Sequence, residues 1–384
     1  MTRRIRLLVL AVLVTVVAVP AVASRHLGEA VPDAETSSML AAAPTATPSV
    51  APAATPSVAP AAGDARSADD AINRVLAISV DGLNPGAISR LGPRGAPTFY
   101  RLMREGAYTL NARTAREQTR TLPGHTSMLT GRRIDGQRGH GVTFNSDKKG
   151  RTVHRAAGHQ VASVFDVVHD RGGRTAMFTS KRKFALYQRT WNSEGPPDRV
   201  DRDQGRAKID RFTVDTDNVG LVAKANRYLR ASPGQFVFLH ISLPDEAGHD
   251  EGFMGKRYLA AVTKTDRLLG SVLATIASRP ALRREMMVLI TADHGGSGGS
   301  HANPRKLANY RVPFFAWGPG VAAGRDLYGL NPTRRNPGSA RTDYSGRQPI
   351  RNGDLANLAT DVLDLPRVPG SEFNADQELT VFGR

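Results

Sequence analysis

From residue 72 onward, short apolar runs rich in β-branched and aromatic residues alternate with longer segments of helical period. The runs are RVLAISV (74–80), TAMFTS (175–180), QFVFLHISL (235–243), MMVLIT (286–291) and VPFFAWG (312–318). Between them, 97–106, 162–171, 217–231, 254–278 and 353–364 repeat apolar residues at helical spacing. This alternation predicts an α/β fold with a largely parallel sheet and helices on both of its faces. Three runs lead directly into acidic residues, as Val80-Asp81, Leu243-Pro244-Asp245 and Thr291-Ala292-Asp293. Ligand crevices of open α/β sheets lie beyond the carboxyl ends of the strands, so three strands deliver carboxylates to one rim. A single Asp after a strand is commonly just a cap or turn residue. Three together, two of them with a nearby His, point to a site.

The N-terminal pattern is different. Arg3, Arg4 and Arg6 precede an apolar run from Leu7 to Val19, and Ala21-Val22-Ala23 supplies small residues of the kind signal peptidase accepts. Residues 1–23 therefore read as a signal peptide cleaved after Ala23, with an uncleaved anchor as the alternative. No other stretch is long or apolar enough to span a membrane. Residues 24–71 read as a disordered Ala/Pro/Ser/Thr-rich linker, in which TPSVAPAA occurs in tandem at 47–54 and 55–62. The folded domain is expected over 72–384. The protein is expected to be secreted or displayed on the cell surface.

Composition narrows the chemistry. The 384 residues are 40% hydrophobic, enough for a sizeable core. There is no cysteine, which excludes disulfides and thiolate metal sites, so any ion must bind through His, Asp, Glu or a hydroxyl. The net charge of +17 raises nucleic acid as a partner, but the arginines are scattered and only 6% of residues are aromatic. No specific nucleic-acid binding is expected; a basic surface suits a small anionic substrate equally well. The sequence leaves oligomeric state open.

Two motifs have metal-ligand spacing. In PDEAGHDEG (244–252), Asp245 and His249 stand four apart, so one helical turn directs both to one point. In TADHGG (291–296), adjacent Asp293 and His294 precede two glycines that let an irregular loop turn both side chains toward an ion. With Asp81 and a further His they could hold two zinc-like ions, an arrangement suited to in-line displacement at phosphorus.

The order Asp81-Gly82, TLPGHTSMLTG (121–131), PDEAGHDEG and ADHGG resembles the type I phosphodiesterase/nucleotide pyrophosphatase branch of the alkaline phosphatase superfamily, over about 75–365. The resemblance implies an alkaline-phosphatase-like three-layer sandwich. It implies two divalent ions, zinc foremost, one held by Asp81, Thr121, Asp293 and His294 and the other by Asp245, His249 and a later His. His301 takes that last place, since no His follows it. Thr121 is implied as nucleophile, just ahead of a helix from about Pro123 or Gly124 to Leu129, with Thr119 and Thr126 as competing hydroxyls. Asn145, in HGVTFN, is similar to the family's oxyanion-binding Asn, although three extra residues separate it from Thr121. Lys181 and Lys183, in SKRKF, are placed to clamp phosphate charge, which tilts the expectation toward phosphomonoesters.

The implied function is an exported phosphoric ester hydrolase working through a phosphothreonine. Sulfatases and phosphotransferases are rivals on the same fold, and a non-catalytic surface-displayed protein is a lesser one. Sulfatases place Cys or Ser before x-Pro-x-Arg, whereas here Thr121 leads and His125 stands at the Arg position. The large inserted domain of cofactor-independent phosphoglycerate mutases is not evident.

Overall fold

The computed structural model describes residues 72–195 and 205–383. The expected signal peptide (1–23) and linker (24–71) lie outside the described residues. Eight strands form one sheet: β1 (Arg74–Val80), β2 (Ala107–Arg113), β3 (Thr175–Thr179), β4 (Arg211–Val214), β5 (Phe236–Ile241), β6 (Met286–Thr291), β7 (Arg311–Trp317) and β8 (Arg325–Asp326). Their order is β4-β3-β5-β1-β6-β7-β2-β8. Only β7 runs against the rest, pairing antiparallel with both β6 and β2. Helices cover both faces, so the sheet is the middle of three layers. Every residue of β5 and β6 is buried, which is why these runs are continuously apolar instead of alternating.

Register explains how a rim of acids arises. Val80 of β1 pairs with Ile241 of β5, and Ser79 pairs with both His240 of β5 and Thr291 of β6. Thr179 of β3 also pairs with His240. The four strands therefore end level, and the residues just beyond them, Asp81, Lys181, Asp245 and Asp293, emerge at one edge.

The five apolar runs all form strands, and the five helical segments contain helices at 97–105, 164–169, 218–231, 256–277 and 354–362. The sequence pattern passes over three strands. β2 has an irregular burial pattern interrupted by a register shift between Thr109 and Ala112, β4 is a short exposed edge, and β8 has two residues.

One boundary is corrected. The helix expected to start at Pro123 or Gly124 spans Thr121–Thr130, so Thr121 is its first residue rather than lying ahead of it. Pro123 falls in the first turn, where the missing N–H costs nothing because those donors have no intrahelical acceptor. All ten residues of this helix are buried, so it shows no amphipathic stripe to mark its start.

Candidate active site

The aspartates and histidines gather at the level strand ends. His294 Nε2 lies 3.4 Å from Asp81 Oδ1, 3.2 Å from Asp293 Oδ2 and 3.9 Å from Asp245 Oδ1. His301 Nε2 is 3.6 Å from Asp245 Oδ1. The helix Leu243–Glu251 carries Asp245 and His249 on one side as their spacing requires, with His249 Nε2 3.5 Å from Asp245 Oδ1 and 3.0 Å from His301 Nε2. Two donor groups compact enough for an ion result: Asp81, Asp293 and His294, and Asp245, His294 and His301. The first matches the expected ligand set apart from Thr121. In the second, His294 stands closer in than His249, whose side chain is half exposed at the margin.

Whether these residues fit divalent cations can be judged from their unmet valences. Asp81 Oδ1, Asp245 Oδ1, Asp293 Oδ2 and His294 Nε2 are all buried without a hydrogen-bond partner. Leaving such atoms unpaired is costly unless something positive lies between them. The imidazoles are oriented as ligands: His294 Nδ1–H donates to Gly295 O (2.8 Å) and His301 Nδ1–H to Thr119 O (2.5 Å), which turns each Nε2 lone pair to the cluster. Burial, then the neighbouring His301, pushes His294 down to about 3, so it is neutral and available to coordinate. Burial and then the charges of Asp81 and Asp245 raise Asp293 well above the carboxylate range. Burial would also raise Asp81, but Lys181, His240 and His294 together hold it well below. The donor set fits hard or borderline cations bound through oxygen and nitrogen.

Thr121 is buried and opens its helix, where backbone dipoles favour negative charge. Its carbonyl accepts from His125 Nδ1–H (2.8 Å), while Ser79 Oγ–H donates to His125 Nε2 (2.7 Å), tying the helix start to β1. Thr119 Oγ is committed to the His301 carbonyl at 2.5 Å and Thr126 Oγ to the Leu122 carbonyl at 2.7 Å, so both competing hydroxyls have other work. Despite the extra residues, Asn145 is at the site: its Oδ1 accepts from Leu122 N–H (2.9 Å) and from Lys183 Nζ (3.2 Å). Both bonds fall on Oδ1, which leaves Nδ2 as a donor. Lys181 instead turns to the acids, its Nζ 2.6 Å from Asp81 Oδ2 and 2.5 Å from Asp245 Oδ2. Burial alone would lower its affinity for a proton, but the two carboxylates outweigh that and raise it.

Sequence reasoning passed over the supports behind these groups. His240, read only as part of a strand, donates from Nε2 to Asp81 Oδ2 at 3.1 Å, with Ser180 Oγ 3.1 Å from its Nδ1. A lone His inside a fully apolar strand was its only signal. Asn352 Nδ2 donates to the Ala292 carbonyl (3.0 Å), fixing the backbone beside Asp293; it belongs to RNGDLAN, a stretch with no role assigned from sequence. The glycines after His294 serve space. A Cβ on Gly296 would lie 2.1 Å from Phe253 Cδ1, and Phe253 stacks edge-on against His249 and His301.

Gly124 serves the same purpose at the other wall, since a Cβ there would stand 2.8 Å from the Asp293 carbonyl oxygen and 3.0 Å from its Cβ. Gly124→Ala must push Thr121 and Asp293 apart. The expected outcome is a destabilisation of roughly 1–3 kcal/mol, the usual cost of overpacking, seen as a lower urea midpoint, together with reduced turnover.

This fold and its edge of aspartates and histidines are those of the alkaline phosphatase superfamily, a metal-dependent group. The family model for type I phosphodiesterase/nucleotide pyrophosphatase matches residues 75–333, and the chain belongs to that family. The family's description is that of hydrolases acting on phosphoric esters. Among solved structures it is similar to an inactive variant of murine ectonucleotide pyrophosphatase/phosphodiesterase 5 in complex with AMP, with a TM-score of 0.55 and 14% identity over 80% of this chain and 99% of the murine one. A putative sulfatase from Bacteroides thetaiotaomicron gives a TM-score of 0.55 and 14% identity over 80% and 74% of the two chains. At these identities the likeness is one of fold. A 2,3-bisphosphoglycerate-independent phosphoglycerate mutase of Sulfolobus acidocaldarius is 28% identical over 148 residues, 38% of this chain and only 30% of the mutase. Among the described residues, no helix is long and apolar enough to cross a membrane.

Proposed function

We propose that the chain is an exported phosphoric ester hydrolase that holds two divalent ions, zinc foremost, and works through a phosphothreonine on Thr121. The observation that carries this reading is the set of four buried, partnerless donor atoms on Asp81, Asp245, Asp293 and His294, facing one another beside the first residue of a helix. Asp81, Asp293, His294 and the Thr121 hydroxyl would hold one ion, and Asp245, His301 and His249 the other. When bound, such ions lower the pKa of a coordinated hydroxyl and neutralise charge on attacking and leaving oxygens.

The protein's own groups do the rest. Thr121 Oγ attacks phosphorus and its proton is lost to solvent, while the bond to the leaving alkoxide breaks and that oxygen takes up a proton. Water then attacks the phosphothreonine, releasing phosphate and restoring the hydroxyl. Asn145 Nδ2 is a donor for a non-bridging oxygen, and Lys183, anchored on Asn145 Oδ1, offsets a second charge. His240 and Asn352 keep Asp81 and the Asp293 backbone in place, and His125 keeps Thr121 against β1.

A dianionic monoester gains more from Lys183 than a monoanionic diester does. Lys183→Met should raise KM for nitrophenyl phosphate about tenfold, the worth of one charge-assisted hydrogen bond, while changing KM for bis-nitrophenyl phosphate far less. The proposal is tested by a substrate panel of phosphate monoesters, diesters, nucleotides and sulfate esters. Phosphate esters should turn over; hydrolysis confined to sulfate esters would make the chain a sulfatase instead.

A further inference from the structure

A basic cleft borders the site. Arg116 lies five residues before Thr121, and Arg305 four after His301. The two segments are joined by Thr119 and His301, each donating to the other's carbonyl. Arg341 bridges the same segments farther out, its Nη2 donating to the Arg116 carbonyl (2.8 Å) and its Nε to the Pro304 carbonyl (2.9 Å). With Arg133, stacked 4.2 Å over the Tyr344 ring, these arginines line an open cleft of about 530 Å³. A second cavity of about 420 Å³ shares Arg341 and continues to Arg335 and Arg347, so the stretch after residue 327, which the sequence leaves without a role, extends the same basic surface.

The charge in the cleft is not balanced. Its four arginines face Glu117 and Asp135, Arg133 also reaches Glu372 (3.8 Å), and Glu117 already accepts from Tyr344 Oη at 2.5 Å. Among the described residues Arg116, Arg305 and Arg341 form no ion pair, unlike the surface pairs Arg101–Glu105, Arg155–Glu194 and Arg257–Glu251. Arg341 gives its Nε and Nη2 hydrogens to backbone carbonyls and has no ion pair among the described residues, Glu117 acting on it only at a distance. Burial and then the like charges of Arg116 and Arg305 lower its proton affinity from the ordinary arginine value. Guanidinium groups in such a cluster match the oxygens of a phosphate and focus a field that attracts one.

We infer that this cleft is a subsite for a second anionic group, so that the substrate is a phosphate ester carrying a further phosphate beyond the one cleaved. The inference rests on the phosphoric ester hydrolase reading. The segments that wall the cleft are those that carry Thr121 and His301, so an anion there lies alongside the reacting centre and not in it. The subsite then supplies binding remote from the scissile bond, the kind that fixes orientation.

The test is calorimetric titration of the metal-loaded Thr121→Ala chain with glucose 1,6-bisphosphate and with glucose 6-phosphate. The bisphosphate should bind about tenfold or more tighter, as expected for one extra anion on a guanidinium pair. Arg116→Ser with Arg305→Ser, both at exposed positions, should abolish that advantage and leave glucose 6-phosphate within about twofold, with an unchanged melting midpoint. Equal affinity of the two sugars in the parent chain, an advantage that persists in the double variant, or an equal loss for both sugars would each overturn the subsite. Failure of the underlying reading looks different: the monophosphate does not bind at all, which overturns both, or phosphate is still released by the Thr121→Ala chain, which removes only the nucleophile.

Discussion

Thr121→Ala should lower turnover of phosphate esters on the order of 10³-fold or more, the scale seen when a covalent nucleophile is deleted. The substitution removes one hydroxyl from the start of the Thr121–Thr130 helix and leaves Asp81, Asp293 and His294 untouched. Melting temperature should therefore stay close to that of the parent, and the ion held by Asp245, His301 and His249 should be retained, which separates loss of the nucleophile from loss of the fold. Thr121→Ser keeps the hydroxyl and should keep a measurable fraction of the rate. Thr119 and Thr126 spend their hydroxyls on the His301 and Leu122 carbonyls, so Thr119→Val and Thr126→Val act on stability first. A Thr121→Ala chain that hydrolyses nitrophenyl phosphate at the parental rate would remove Thr121 from the mechanism.

His294→Ala should have the second large effect. His294 alone belongs to both compact donor groups, with its Nε2 within 4 Å of carboxylates on three different strand ends. Its loss would remove the one nitrogen ligand from the position it shares with Asp81 and Asp293, so that ion should be lost outright, with activity down on the order of 10³-fold. His249→Ala is the contrasting variant. Half exposed and set against only one of the groups, it should weaken one ion by roughly 10–100-fold and spare the other. Metal retained per chain after dialysis distinguishes these outcomes.

The rim of the sheet was legible in the sequence because each strand is a continuous apolar run that stops at an acid. Asp81, Asp245 and Asp293 announce themselves by position, and the spacing of Asp245 and His249 survives intact in the helix Leu243–Glu251. The start of the Thr121 helix was not legible, because a wholly buried helix has no polar face to show its period. Nor were β2, β4 and β8, which are irregular, exposed or very short. The supports were hidden for a different reason. His240 meets Asp81 only because β5 and β1 end level, and Asn352 reaches the Asp293 loop from 59 residues away in sequence. From sequence, Lys181 and Lys183 are expected to clamp phosphate together, yet the same level register sets the Lys181 ammonium between Asp81 and Asp245. Such contacts are properties of strand order, which local pattern does not encode.

The proposed chemistry requires the cations that the partnerless donors call for. Metal analysis of the purified full chain by plasma mass spectrometry, after removal of loosely held ions by gel filtration, tests it most directly. Two divalent ions per chain, predominantly zinc, is the result expected; fewer than one per chain in a preparation that hydrolyses phosphate esters would contradict it.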